Sequence, residues 1–342
     1  ALGYSSLMNQ NFTSSTDTFN VAVGHNAGLN ITTGVQNTLI GGLAGDALTT
    51  GSLLAVGYLA GSAATTSVGN VLVGELAGTA LTTGQHNTAV GSQALSTEDE
   101  HGLNVAIGHD ALRNLNAGVD GNNTAVGYNA GQALTTGVQN TIVGSVAGDA
   151  FTDADKNVAI GTNALSSSVQ GSKNVAVGTA ALFTSNPSGA VDTLNTAVGF
   201  EAGKATTTGT GNTFIGASAG DSCTDTVNCV AVGLNALGGA DADHSNVAVG
   251  QLSLSSCTGD SNTAVGDQAG TDVTSGDNNS FLGQDAGRSG APGGSITTAS
   301  NTIVLGDGSI ANAHIQVDWT VASDERDKTD FTALDLGLDF VK

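Results

Sequence analysis

Proline and aromatic residues are almost absent from this chain of 342 residues: two prolines, 4% aromatics and a single tryptophan, Trp319. So few rings cannot build a conventional large core, nor the aromatic groove with paired carboxylates of a polysaccharide-cutting enzyme. Three cysteines are too few for a disulfide framework. Eight basic residues against thirty acidic ones leave a formal charge of −22, with no basic footprint for nucleic acid. The bland reading of that acidity is solubility for a long repetitive object. No stretch approaches the length of a membrane span, so no membrane insertion is expected. The six histidines, His25, His86, His101, His109, His244 and His314, show no metal-ligand spacing.

Glycine, by contrast, is abundant, at fifty residues, and it has no collagen period. Instead an asparagine recurs every 17 residues and opens one short phrase, Asn-Thr/Val-X-Val/Ile-Gly-X-X-Ala-Gly/Leu. The first positions of sixteen copies are Asn20, Asn37, Leu53, Asn70, Asn87, Asn104, Asn123, Asn140, Asn157, Asn174, Asn195, Asn212, Cys229, Asn246, Asn262 and Asn279. A degenerate copy is placed at Asn301, and Gly3, Ser6 and Leu7 fit the phrase, so the chain is expected to begin inside a copy. A fixed period of this length is the mark of a stack of supersecondary units, each in contact mainly with its neighbours.

Columns of the repeat give the local structure. With the asparagine as position 1, position 4 is Val or Ile in every copy except Leu282, and position 2 is mostly Val or Thr, a strand signal. Position 3 is also apolar, as at Ala22, Leu39, Ala55, Leu72, Ile142, Phe214 and Phe281. Being on the opposite face from positions 2 and 4, it is expected to meet another chain, and Ala159→Asp is expected to break that association. Position 5 is Gly throughout, as expected for positive φ or close backbone approach. Position 8 is Ala in all copies but Ser253, which suggests a crowded corner. Position 12 is mostly apolar (Ile31, Leu48, Leu81, Phe151, Cys223, Cys257) and often precedes Thr-Thr-Gly, from which a second, weaker strand is expected. The fold class predicted is all-β: a parallel β-solenoid, or β-roll, of about 17 coils, roughly 80 Å long at the strand-to-strand spacing. The asparagine column is expected to form a ladder of side-chain amides along the axis.

Segments such as Asn104-Val105-Ala106-Ile107-Gly108 and Asn157-Val158-Ala159-Ile160-Gly161 resemble the phrase of YadA-like trimeric adhesin heads. Those heads are left-handed parallel β-rolls packed three abreast, so the resemblance, over residues 1–306, implies a homotrimeric fibre. The period here is longer than theirs. After a connector at 307–322, the run Ser323-Asp324-Glu325-Arg326-Asp327-Lys328-Thr329-Asp330-Phe331 resembles the start of the endosialidase-type intramolecular chaperone of phage tail spikes and fibres. Residues 323–342 would then be the start of that domain, with Leu336, Leu338 and Phe340 in its first amphipathic segment. The resemblance implies single-turnover self-cleavage between Ala322 and Ser323. Ser323 would be the nucleophile, Lys328 a base or charge partner, and Asp324 and Arg326 positioning residues.

The function implied is a structural and adhesive trimeric fibre. The leading reading is a viral tail fibre that is extracellular and attaches to a host receptor or glycan; the alternative is a bacterial surface adhesin or matrix fibre of the same architecture. No multi-turnover enzyme, cofactor or metal site is expected. Calcium at the acidic turns Glu98-Asp99-Glu100 and Asp241-Ala242-Asp243 stays open, although these turns are expected to be solvated and the calcium-roll phrase Gly-Gly-X-Gly-X-Asp does not occur. Receptor contact is expected at the inserts that break the period: Asn114–Asn122, Phe183–Leu194 and Gly287–Ser300. Cys223 and Cys257 are expected to be small core residues.

Overall fold

A computed structural model describes residues 1–312 and 314. The chain divides into two compact units, Ala1–Gly308 and Ser309–Lys342. The first is a parallel β-solenoid, and the described residues contain no helix. Its main sheet has 17 strands, nearly all of three residues, beginning with Val21–Val23 and ending with Ile303–Leu305. Each strand pairs in parallel with the next coil, position for position: Val21 with Thr38, Ala22 with Leu39, Val23 with Ile40. The register persists across the inserts, where Val175 pairs with Thr196 and Ser280 with Ile303. That last pairing moves the terminal copy by one residue: Thr302, not Asn301, takes position 1, and its N–H donates to Asn279 Oδ1 at 2.9 Å.

The two faces of the strand are the reverse of the sequence expectation. Position 3 points inward and is buried at every coil from Ala22 to Phe281, whereas positions 2 and 4 lie outside, as at Val21 and Val23. The physical reason lies in the short strand. Only its middle residue reaches the interior, so the β-branched flanks satisfy sheet propensity on the outer surface. Ala159 is fully buried inside its own coil, and an aspartate there would break the coil rather than an interchain contact.

The interior is narrow and is filled by a complementarity between positions 3 and 9. All five coils with a large position 3 (Leu39, Leu72, Ile142, Phe214 and Phe281) have glycine at position 9, as does the coil before each. Their side chains occupy the space of two coils, except that Phe151 from position 12 fills the space at Gly148 in the Ile142 coil. A Cβ at Gly203 or Gly220 would lie 2.7 or 2.5 Å from the Phe214 ring, and one at Gly61 would lie 2.8 Å from Leu72. The remaining coils pair Ala at position 3 with Leu at position 9, as in Ala89 with Leu95 and Ala231 with Leu237. Both kinds reach the close packing that interiors require.

Three columns hold the coils together. Buried asparagines form the expected ladder, with the backbone as a further partner: Asn123 Oδ1 accepts the Asn140 N–H at 3.0 Å and its Nδ2 at 3.2 Å, while Asn140 Nδ2 also donates to Ala154 O at 2.8 Å. Position 5 glycines stack so tightly that a Cβ on Gly24, at φ 140°, would sit 2.3 Å from Gly41 O. Ala27 and its equivalents at position 8 are fully buried, as a crowded corner demands. The second strand is not formed in most coils. Position 12 is buried, but the chain bends at positions 13 and 14, so the threonines bond singly, as in Thr32 N–H to Thr49 O at 2.9 Å and Thr32 Oγ1 to the same oxygen at 3.1 Å. Among the described residues, only Gly171–Ser172 and Val191–Asp192 pair as a second small sheet.

Candidate functional site

Inverting the strand faces leaves an apolar strip on the outside of the stack. Position 4 contributes Val23, Ile40, Ile107, Ile160, Val198, Ile215, Val265 and Leu282, all exposed. Position 2 adds Val and Thr. Position 6 continues the strip past the glycine turn with Tyr58, Tyr128, Phe200 and Leu234, each about half exposed. Rings one coil apart stack here, Tyr4 on His25 and His109 on Tyr128, each pair with centroids 5.6 Å apart. No charged residue occupies position 2, 3 or 4 in any of the sixteen copies. With coils about 4.8 Å apart and residues about 3.3 Å apart along the chain, a strip from position 2 to position 6 and 17 strands long covers on the order of 1,000 Å²; its position 6 edge also carries Glu75 and Asp267.

The inserts are tied to the coils beside them. In Asn114–Asn122, Ala117 N–H donates to Glu98 Oε2 at 3.4 Å and Gly121 N–H to Gly102 O at 3.1 Å, while Asp120 Oδ1 accepts the Gly102 N–H at 3.1 Å. A groove of about 370 Å³ runs beside it, lined by Gln85, His86, Glu100, Leu103 and Asp120. In Phe183–Leu194, Val191 and Leu194 are exposed, and Asp192 pairs with Lys173. In Gly287–Ser300, Ser295 Oγ donates to Asp272 Oδ2 at 2.6 Å, and Arg288 Nη1 donates to Gln268 Oε1 at 2.7 Å and also bonds Asp285.

The acidic turn at 98–100 differs from the sequence expectation. Glu98 occupies position 12, a core column, and is fully buried; desolvation pushes its carboxyl above the usual range, against the lowering effect of the Ala117 and His101 N–H groups. Asp99 and Glu100 remain more accessible. The three cysteines are buried free thiols. Burial pushes Cys223 up to about 12 and Cys257 up to about 11, so neither carries appreciable thiolate. Cys229 fills a ladder position and bonds Asp243 O through Sγ at 3.2 Å.

Ser323, Asp324, Arg326 and Lys328 lie outside the described residues, as does the Ala322–Ser323 bond. Two features escaped the sequence reading: the outward strip, misassigned because position 3 and its flanks are all apolar, and the Glu98 turn. For the second, a signal was present, since the 17-residue count places Glu98 in the column of Leu81 and Leu115. Compared with known proteins, the chain matches no family model and no curated protein.

Proposed function

We propose that the chain is a structural and adhesive fibre that works as a homotrimer, with three outward strips facing a common axis. The observation that carries this reading is the outward strip, which bears no charged residue at positions 2 and 4 in any of the sixteen copies and exposes Val and Ile along the stack. Together with its position 6 edge the strip covers on the order of 1,000 Å², similar to the roughly 800 Å² per partner of a stable interface. Three copies in register would repeat each weak surface contact, so attachment to a host receptor or glycan would gain by avidity. The inserts, across which the backbone N–H bonds of the ladder persist, are the places for such contact. A viral tail fibre accounts for both resemblances, the adhesin-like repeat and the chaperone-like run at Ser323; a bacterial surface fibre accounts for the first.

Mass in solution tests the assembly. The intact chain should scatter light as a trimer of about 100 kDa, three times the 33.4 kDa of one chain. Ile107→Asp, which places an unpaired charge in the strip, should yield folded monomer. A wild-type monomer, or a trimer unaffected by this change, would overturn the proposed interface.

A further inference from the structure

We propose that Glu98, Asp99 and His101 form a binding site for one divalent transition ion of the zinc class. Their donor atoms, two carboxylate oxygens and an imidazole nitrogen, lie within 4.8 Å of one another. Two further observations point to a ligand. Glu98 is a fully buried carboxylate in a column that holds Leu81 in the coil before and Leu115 in the coil after. The hydrogen bonds described for it come from two backbone N–H groups, at 3.3 Å from His101 and 3.4 Å from Ala117, both long for bonds to a charged acceptor. Independently, His101 Nδ1 is buried from solvent and has no hydrogen-bond partner. It stands 3.6 Å from Glu98 Oε1, beyond hydrogen-bond reach.

That separation suits a shared ion. Two donors each about 2.1 Å from one metal, at an angle of about 120°, lie about 3.6 Å apart. A neutral imidazole with carboxylates selects zinc-like ions over calcium, which prefers an all-oxygen shell. Asp99 would complete three protein ligands, its backbone already held by Thr82, whose N–H and Oγ1 donate to Asp99 O at 2.7 and 3.0 Å. The groove lined by His86, Glu100 and Asp120 opens beside His101 and gives an anionic path for a cation. The ion would link three parts of the stack. His101 O accepts from the ladder residue Asn87 at 3.1 Å, and Glu98 holds the insert through Ala117.

The intact chain, stripped with EDTA and desalted, should be titrated calorimetrically with zinc chloride. One zinc per chain should bind, and His101→Ala, a half-buried turn residue, should weaken binding at least tenfold while leaving the metal-free melting temperature unchanged. Glu98→Gln should weaken it similarly; should that variant fail to fold, His101→Ala still decides. No zinc binding, or equal binding by His101→Ala, would overturn the site, and calcium binding as tight as zinc would overturn the ion assigned.

Discussion

Removing the Phe214 ring should open a cavity that only a specific second substitution can close. The ring lies edge-on between two glycines of adjacent coils, within 2.7 Å of where a Cβ would stand on Gly203 and 2.5 Å on Gly220. Phe214→Ala deletes six ring carbons from a fully buried site and should cost about 3–5 kcal/mol. Gly220→Leu alone drives a side chain into the ring and should cost about 1–3 kcal/mol through overpacking. The pair together recreates the composition of the next coil, in which Ala231 faces Leu237. The backbone permits it, since Gly220 has φ 61° and Leu237 already adopts φ 50° at the same position. Four carbons return to a space that lost six, so about half of the Phe214→Ala loss should be recovered; set against the sum of the two single losses, that is a coupling of about 3–5 kcal/mol between the sites. Coils in a stack open locally, so native-state hydrogen exchange at the backbone amides of the Phe214 and Ala231 coils is the suitable assay. A double variant as unstable as the two losses added together would refute the complementarity of positions 3 and 9.

Restoring the ladder with Cys229→Asn should stabilise the stack by about 1 kcal/mol, because an amide oxygen would accept the Asn246 N–H more strongly than the thiol sulfur does; the midpoint of chemical denaturation checks this. Val146 is a β-branched residue at φ 59°, so Val146→Asn should gain about 1 kcal/mol in the same measurement. Glu98, Asp46, Asp149 and Asp221 all have carboxyls raised mainly by desolvation. Raised folded values mean stability that is fully present below the ordinary carboxylate range and lost as pH rises through the folded values. The metal-free melting temperature should therefore increase on acidification from neutrality into that range, and Glu98→Gln should flatten the increase.

The coil and its register were legible because the strongest columns carry geometry as well as composition. Glycine at position 5 marked both a positive φ and a backbone contact, and asparagine at position 1 marked a ladder whose partners lie one period away. What the columns could not give was direction. A three-residue strand with apolar residues at all three positions reads the same from either side, and burial of Ala22 between exposed Val21 and Val23 decides it only in three dimensions. The second strand failed for a related reason: Ile31-Thr32-Thr33 has strand propensity, but the bend turns the N–H groups of Thr32 and Gly34 onto the single carbonyl of Thr49, where a strand would use alternate carbonyls. The coupling of large position 3 to glycine at position 9 was present in the letters. It extends over two coils, from Gly203 to Phe214 and Gly220, so a reading confined to one repeat does not find it.

The distribution of charge directs how such a stack can meet its own kind. Charged residues make up 11% of the chain, which would place about three or four among the 32 outward residues at positions 2 and 4 of the sixteen copies; there are none. The acidic excess lies in the turns and bends instead, at positions such as Asp46, Asp99, Asp149, Asp221 and Asp241. Two chains that approach turn to turn bring like charges together, whereas two that approach strip to strip bury Val and Ile and keep their carboxylates in water. In the proposed assembly, the same net charge of −22 would oppose lateral aggregation and favour contact through the strip. It also predicts the salt response: added salt should screen repulsion between turns while leaving burial of the strip intact, so light scattering should find the proposed discrete assembly at low salt and larger bundles as ionic strength rises.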